Sequence, residues 1–419
     1  MGTTVPESLK VIIPVGGEAK RLQPLTAEIS KAVIRFLNRP IIEITMLNLA
    51  KQGIRNFIFG VKGYINYRSL HDYFKEGIGF SARYGISPRV HIKYQPHVED
   101  FGSADSFRIL SDYYEISENC AVIQGDNIFD LDLEEMLEAH LQKNASMTIG
   151  LVQVKNVEGY GIAALDEDGR ILRFVEKPRS EDAPSNYASA GIYIIHPSVK
   201  EAYSEEMVQR MMGSNKRLDF GQDFIPYLIE SGRRVYGYHM KGDWYDLGTP
   251  EGYLSSMVEV LRKGKVELEG RISRDESIWV EGQSADSLAR KEEIVRKIRD
   301  NAVHLEGAIL IGRHCSIGSA TRVLDSSIDN FSIIGDGVLI EKSAIMDRAI
   351  IKHNAQIRDS IVGRHCIINS SPAKPTLITG VSIIGDDVKI GEGCTIISGR
   401  VRPHSVMPPN TMLVQGTFP

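Results

Sequence analysis

An aliphatic residue recurs every six positions through the last quarter of the chain: Ile311, Ile317 and Val323, then after a step of five Ile328, Ile334 and Ile340, later Ile351 with Ile357, and Ile384, Ile390 and Ile396. Several are followed by glycine, as in IGRHCS, IGSATR, IGDGVL and IGEGCT. One inward aliphatic per six residues is the pattern of a parallel β-helix, in which each hexad forms one side of a triangular coil and the aliphatic side chains stack into a core. The segment SSPAKP at 370–375 interrupts the hexads. It reads as a loop leaving one coil, because its prolines cannot donate ladder hydrogen bonds.

Before about residue 255 the pattern is different. Apolar runs (VIIPV, NFIFGV, CAVIQGD, MTIGLVQV, ASAGIYII) alternate with amphipathic stretches such as RPIIEITMLNLAKQGI and LDLEEMLEAHLQK. Strands alternating with helices predict βαβ units and a largely parallel sheet covered on both faces. The expected organisation is residues 1–255 as one domain, 256–304 as a linker with a charged, solvated helix over 284–300, and 305–419 as the hexad domain. A chain of 419 residues has the length for two or three domains.

Composition narrows the function. With 42% hydrophobic and 25% charged residues the chain is of the ordinary soluble type. Its net charge of −5 argues against a nucleic-acid or membrane surface, each of which needs a basic patch. No apolar run of membrane-spanning length and no signal-peptide pattern occurs, so a cytoplasmic protein is expected. Cys120, Cys315, Cys366 and Cys394 form no CxxC pair, which suits a reducing compartment and supplies no zinc site.

Residues 11–31, VIIPVGGEAKRLQPLTAEISK, run an apolar strand into a Gly-Gly turn, then Lys20, Arg21 and, ten residues on, Lys31. A buried strand ending in glycines offers bare N–H groups at its carboxyl end, where a doubly wound sheet binds ligands. Phosphate fits that end: a Cβ at Gly16 or Gly17 would hold it off the amides, and Arg21 and Lys31 supply charge-assisted bonds. Two carboxylates also follow apolar strands, Asp126 in AVIQGDNIF and Asp246 in GDWYDLGTP. Together they could hold Mg²⁺, a hard cation that takes oxygen ligands and keeps water and substrate phosphate in its other positions.

The spacing GG-x(3)-RL-x-P-L-T-x(4)-K resembles the signature of the sugar-nucleotide pyrophosphorylases, nucleotidyltransferases acting on sugar 1-phosphates, whose pattern reads GG-x-G-T-R-L-x-P-L-T before a lysine. Two positions depart: Ala19 stands for the third glycine and Lys20 for the threonine. Alanine adds a Cβ at the tightest point of the loop, and Lys20 adds a cation.

The resemblance implies a Rossmann-like nucleotidyltransferase domain with a mixed, mostly parallel sheet, followed by a left-handed parallel β-helix. It implies the reaction NTP + sugar 1-phosphate → NDP-sugar + pyrophosphate, with Mg²⁺ on Asp126 and Asp246. Val15, Gly16, Gly17, Arg21, Lys31, Gln95, Gly102 and Asp126 correspond to nucleotide contacts, Gln95 and Gly102 lying in KYQPHVEDFGSADSF. Lys177 of FVEKP corresponds to the group on the sugar phosphate and Glu176 to the group on sugar hydroxyls. Gly161 of YGIA and Gly191 with Tyr193 of ASAGIYII correspond to sugar-pocket strands, although Ser189-Ala190 replaces the Asn-Thr of many relatives.

The expected substrates are glucose or mannose 1-phosphate with UTP, dTTP or GTP, and the expected assembly is a homo-oligomer through the β-helix, with no nucleic-acid or membrane partner. Two rivals share this architecture. One is a catalytically silent, nucleotide-sugar-sensing subunit. The other is a bifunctional enzyme whose β-helix also acetylates a sugar amine, with His304, His314, His353 and His365 as candidate bases.

Overall fold

The computed structural model describes residues 7–17, 19–96, 99–214, 217–273 and 277–419. His97 and Val98, in the loop after Gln95, lie outside the described residues. The chain divides into two compact units that do not follow chain order: Met1–Gly17 with Ile42–Trp244, and Glu18–Ile41 with Tyr245–Pro419.

The first unit is built on a nine-stranded sheet. Its strands are β1 (Lys10–Val15), β2 (Asn56–Val61), β3 (His91–Tyr94), β4 (Cys120–Ile123), β5 (Met147–Gln153), β6 (Gly161–Leu165), β7 (Ile171–Glu176), β8 (Tyr187–Ile195) and β9 (Val235–His239). The main path runs β7-β6-β8-β4-β1-β2-β3, and β5 joins β8 to β9. Strands β4, β1, β2 and β3 run parallel to one another, as the alternating pattern predicts, whereas β8 is antiparallel to β4, β5 and β6. Val11, Ile12 and Ile13 of β1 are fully buried, which is why that strand reads as an unbroken apolar run. Helices Ile41–Lys51, Ser103–Tyr113 and Leu133–Gln142 occupy stretches between strands, and the last begins at Asp132, whose carboxylate accepts from Glu135 N at 3.0 Å. Ala104, Phe107 and Leu110 of the Ser103–Tyr113 helix share a core with Ile12, Ile58 and Val122 of the sheet.

The second unit is the β-helix. The coil strands pair in parallel, and the three faces are carried by strands such as Ile309–Ile311, Ser316–Ile317 and Thr321–Leu324, each paired one coil further on; a short antiparallel strand pair, Arg35–Phe36 with Arg39–Pro40, lies in the segment 18–41. Ile328, Ile345 and Val362 stack at a spacing of seventeen residues. Two hexads and one step of five therefore make a coil. The short step is a tight corner where Asp325, Lys342 and Asp359 take left-handed backbone angles. Below that corner, the buried Ser326 hydroxyl accepts from Ser343 N at 3.0 Å and the Ser343 hydroxyl from Ser360 N at 3.1 Å. The spacing stretches to twenty-two residues between Val362 and Ile384, where the 370–375 excursion leaves the coil.

The solenoid starts earlier than the hexads suggest, because Ile278–Val280 already pairs with Ile309–Ile311. The charged helix, Ala285–Arg299, lies between the first strands of the solenoid and begins with a Ser284–Ser287 capping box. It is not wholly solvated. Ile294 is 2% exposed and joins the β-helix core, and Lys297 Nζ donates to Ile317 O at 2.7 Å.

The segment 18–41 belongs to this unit through specific bonds. Arg35 grips Asp329 with two nitrogens, Nη2 at 2.8 Å from Oδ1, and its Nε lies 3.5 Å from Asp347. Asn38 Nδ2 donates to Glu281 at 2.9 Å, Tyr253 donates its hydroxyl to Arg35 O, and the Phe36 and Tyr253 rings meet edge to face at 5.2 Å.

Candidate functional site

In the first unit, β1 delivers Val15, 8% exposed, to the exposed pair Gly16-Gly17. Val15 O accepts from Lys62 N at 3.0 Å, and a Cβ at Gly16 would lie 3.1 Å from that of Lys62, so the turn is tight on one side. Among the described residues, apart from its chain neighbours, nothing lies within 4 Å of a Cβ position at Gly17. Gln95 is buried: its carbonyl accepts from Ser106 Oγ at 2.6 Å and its amide donates to Asp100 Oδ2 at 3.2 Å. Gly102, at φ +141°, leaves room for Asp219, whose Oδ1 would be 2.6 Å from a Cβ there and accepts from Ser103 N at 3.1 Å.

The residues matched to the sugar pocket are gathered by the start of β6, the end of β7 and the middle of β8. Glu176 closes β7 with its carboxylate wedged between two glycines: an oxygen would lie 2.7 Å from a Cβ at Gly161 and 2.2 Å from one at Gly221. Burial raises the Glu176 pKa, and the neighbouring Lys177 ammonium, 3.4 Å away, opposes that rise. Lys177 takes a left-handed backbone (φ +49°) and donates its N–H to Tyr160 O at 2.9 Å, leaving its side chain exposed. A left-handed lysine is uncommon, and here it turns the side chain off the end of the strand.

Strand β8 breaks register between Ser189 and Tyr193, with Gly191 at φ +73° inside the break. Gly191 O accepts from Gln124 N at 2.9 Å, and a Cβ at Gly191 would collide with the Gln124 carboxamide at 2.8 Å. Asp126 follows two residues later, half-buried. Tyr193 stacks on Phe220 at 5.1 Å, beside Gly221, and burial pushes its hydroxyl up to about 12. Trp244 Nε1 donates to Ala190 O at 3.3 Å and its ring meets Tyr160 at 5.4 Å. Gly161, Glu176, Lys177, Gly191 and Tyr193 are thus linked through shared neighbours. Sequence reasoning missed those neighbours, Gln124, Tyr160, Phe220, Gly221 and Trp244. Only Trp244 carried a signal, as half of the aromatic pair before Asp246.

In the second unit, Arg21, Lys31 and Asp246 converge on one glycine. A Cβ at Gly248 would lie 2.8 Å from Asp246 Oδ1, 2.9 Å from Arg21 Nη2 and 3.5 Å from Lys31 Nζ. Gly248 N donates to Asp246 Oδ1 at 2.7 Å. Ala19 takes a left-handed angle (φ +44°), the conformation that the missing third glycine would adopt at lower cost, and Thr26 Oγ1 donates to its carbonyl at 3.1 Å. The β-helix histidines are dispersed: His304 pairs with Glu306, His353 with Asp336 and His365 with Asp387, while His314 stacks on Phe331. Among the described residues no three His, Cys, Asp or Glu side chains gather as a metal cage, and no helix is long and apolar enough to cross a membrane.

The family described as nucleotidyl transferase matches residues 10–263, more than half of the chain. The chain belongs to that family. A second match, described as the GMPPB C-terminal domain, covers residues 300–413 of this nucleotidyl transferase. It is 30% identical over 92% of its length to a glucose-1-phosphate adenylyltransferase of Desulfitobacterium hafniense (strain DSM 10664 / DCB-2), covering 95% of that protein. It is 25% identical over 87% of its length to a UTP–glucose-1-phosphate uridylyltransferase of Synechocystis, covering 90% of it. A UDP-glucose pyrophosphorylase solved with UDP-glucose aligns with a TM-score of 0.52 at 25% identity, over 61% of this nucleotidyl transferase and 99% of the solved chain. These likenesses place it among the sugar-nucleotide pyrophosphorylases, as the loop signature implies.

Proposed function

We propose that this nucleotidyl transferase joins the nucleoside monophosphate of UTP, dTTP or GTP to glucose or mannose 1-phosphate and releases pyrophosphate. A sugar-phosphate oxygen attacks the α-phosphorus in line; the new P–O bond forms as the bond to the bridging oxygen of the β-phosphate breaks. Such a transfer needs positioning and charge neutralisation rather than a protein nucleophile. Arg21 stabilises the departing pyrophosphate, Lys31 the triphosphate, and Lys177 the attacking phosphate. Glu176 takes sugar hydroxyls, with Gly161, Gly191 and Tyr193 shaping the pocket; Val15, Gly16, Gly17, Gln95 and Gly102 serve the nucleotide. The working chemistry is assigned to residues 1–255; 256–304 supplies the first solenoid strand and its packed helix as well as the connection, and 305–419 is the hexad domain.

The observation that carries this reading is the convergence of Arg21, Lys31 and Asp246 on Gly248, because two cations and a carboxylate around a bare backbone suit a metal-bound polyphosphate. Asp246 and Asp126 are all-oxygen donors, which fits Mg²⁺, and two carboxylates are the usual protein share for that ion. When bound, Mg²⁺ would neutralise phosphate charge. The protein is proposed to work in the cytoplasm as a homo-oligomer through its β-helix, without nucleic acid or membrane.

The test is pyrophosphate release from ATP, UTP, GTP, CTP and dTTP against glucose, mannose, N-acetylglucosamine and cyclitol phosphates. ATP belongs in the panel because a relative is named an adenylyltransferase. Turnover with at least one pair is expected. Binding of a nucleotide sugar with no pyrophosphate from any pair would instead mark the silent sensor, and consumption of acetyl-CoA would mark the bifunctional enzyme.

A further inference from the structure

We infer that Arg400, on the last coils of the β-helix, is a positioning residue for nucleotidyl transfer, acting on the loop that carries Arg21. This rests on the triphosphate role proposed for Arg21. Arg400 lies on the strand Thr395–Val401, where Ile396 and Val401 point into the solenoid core and Arg400 is half-buried on the outside. One of its nitrogens, Nη1, donates both to Arg21 O at 3.1 Å and to Gln23 O.

Among the described residues, no backbone N–H of the loop donates to either of those two carbonyls. Ala19 O accepts from Leu22 N, Lys20 O from Gln23 N, Leu22 O from Leu25 N and Pro24 O from Ala27 N. The tight turn thus satisfies the carbonyls of residues 19, 20, 22 and 24 internally, and a guanidinium from far along the sequence takes those of Arg21 and Gln23. Bonds from a charged donor are stronger than neutral ones, so Arg400 fixes the backbone from which the Arg21 side chain reaches Asp246 and Gly248. A second tie lies one coil corner away, where His404 Nε2 is 3.0 Å from Glu28 Oε2. That pair is exposed and contributes little, so the effect is assigned to Arg400.

The experiment is steady-state pyrophosphate release by the full chain, using the NTP and sugar 1-phosphate pair that the wild type turns over fastest. Four variants are compared: Arg400→Ala, Arg400→Lys, Arg21→Ala and the Arg21→Ala/Arg400→Ala double. Arg400→Ala is expected to lower kcat/KM for NTP about tenfold, the low end of the worth of a charge-assisted bond because Arg400 acts only through the loop, while KM for the sugar phosphate stays within about twofold. Arg400→Lys keeps one charged donor and should recover part of the loss. The double variant should lose no more than Arg21→Ala alone, since coupled residues do not add.

Unchanged kinetics in Arg400→Ala, equal losses for both substrates, or additive losses in the double variant would each overturn the inference. If Arg400→Ala does not fold, Arg400→Lys and Arg400→Gln are judged by the same split between substrates. A wild type that releases no pyrophosphate with any pair overturns the transferase reading first and this inference with it, so the two failures are told apart by the wild type alone.

Discussion

Lys177 is where the proposed division between the two substrates can be tested on a single side chain. Its ammonium stands at the exit of a strand, in a left-handed backbone, beside a partly buried carboxylate. Lys177→Ala should raise KM for sugar 1-phosphate roughly tenfold to a hundredfold and lower kcat, because one charge-assisted contact is lost, and KM for NTP should change less than about twofold. An equal rise in both constants would defeat that division of labour. Gly248 makes a complementary case. A methyl group there would crowd Asp246 and Arg21 at under 3 Å, so Gly248→Ala should cost most of the turnover even though alanine is the smallest possible change. Glu176 gives a pH signature. Its folded pKa is raised by burial, so its ionisation opposes folding. Its contribution to stability is fully present below the unfolded carboxylate value of about 4.3 and is lost as pH rises through the higher folded value. Glu176→Gln should remove that slope, and the difference in unfolding midpoint between wild type and variant should grow from pH 4 upward; a constant difference would show that burial does not govern this carboxyl.

Elements differ in how plainly the sequence announces them. The hexads are legible because each inward aliphatic sits in a stack: Ile340 is fully buried between Val323 and Ile357 in the coils on either side. Ile340→Ala should therefore cost about 2 to 5 kcal/mol, measurable by denaturant unfolding, with pyrophosphate release retained under native conditions. The step of five is also visible in the sequence, and the coil of seventeen residues explains it. What stays hidden is any element whose signal is tertiary. Ile278–Val280 is too short and too isolated to read as the first β-helix strand, and the buried Ile294 is masked by the charge around it in Ala285–Arg299. The family signature over residues 16–31 is legible because its spacing recurs among nucleotidyl transferases. The register break at Gly191 was only half readable: the glycine stands out in an apolar strand, but the Gln124 carboxamide that requires it lies far away in sequence.

At the scale of the whole molecule, the sequence suggests chemistry confined to the first 255 residues and a tail that serves assembly. Oligomer formation through the tail is expected to appear in light scattering of the full chain, and a monomer would remove that part of the proposal. The contacts within the second unit give the tail a larger share. Arg21 and Lys31 lie on a segment whose buried anchors, Asp329, Asp347 and Glu281, all come from beyond residue 277. Tyr253, Met257, Val260 and Leu261 of the helix Pro250–Lys263 are all at most 2% exposed, and Ser327 of the β-helix donates its hydroxyl to Met257 Sδ. A chain ended after residue 263 would uncover that apolar face and leave Arg35 without its carboxylates. Breaking one partner of a buried ion pair alone costs about 3 to 5 kcal/mol. The shortened chain is therefore expected to aggregate or to unfold without a sharp transition. Asp329→Ala in the full chain should reproduce part of the defect, with a lower unfolding midpoint and a loss of kcat/KM for NTP exceeding that for sugar phosphate. Should the shortened chain instead stay soluble and release pyrophosphate at the full-length rate, the β-helix would be a platform for assembly alone.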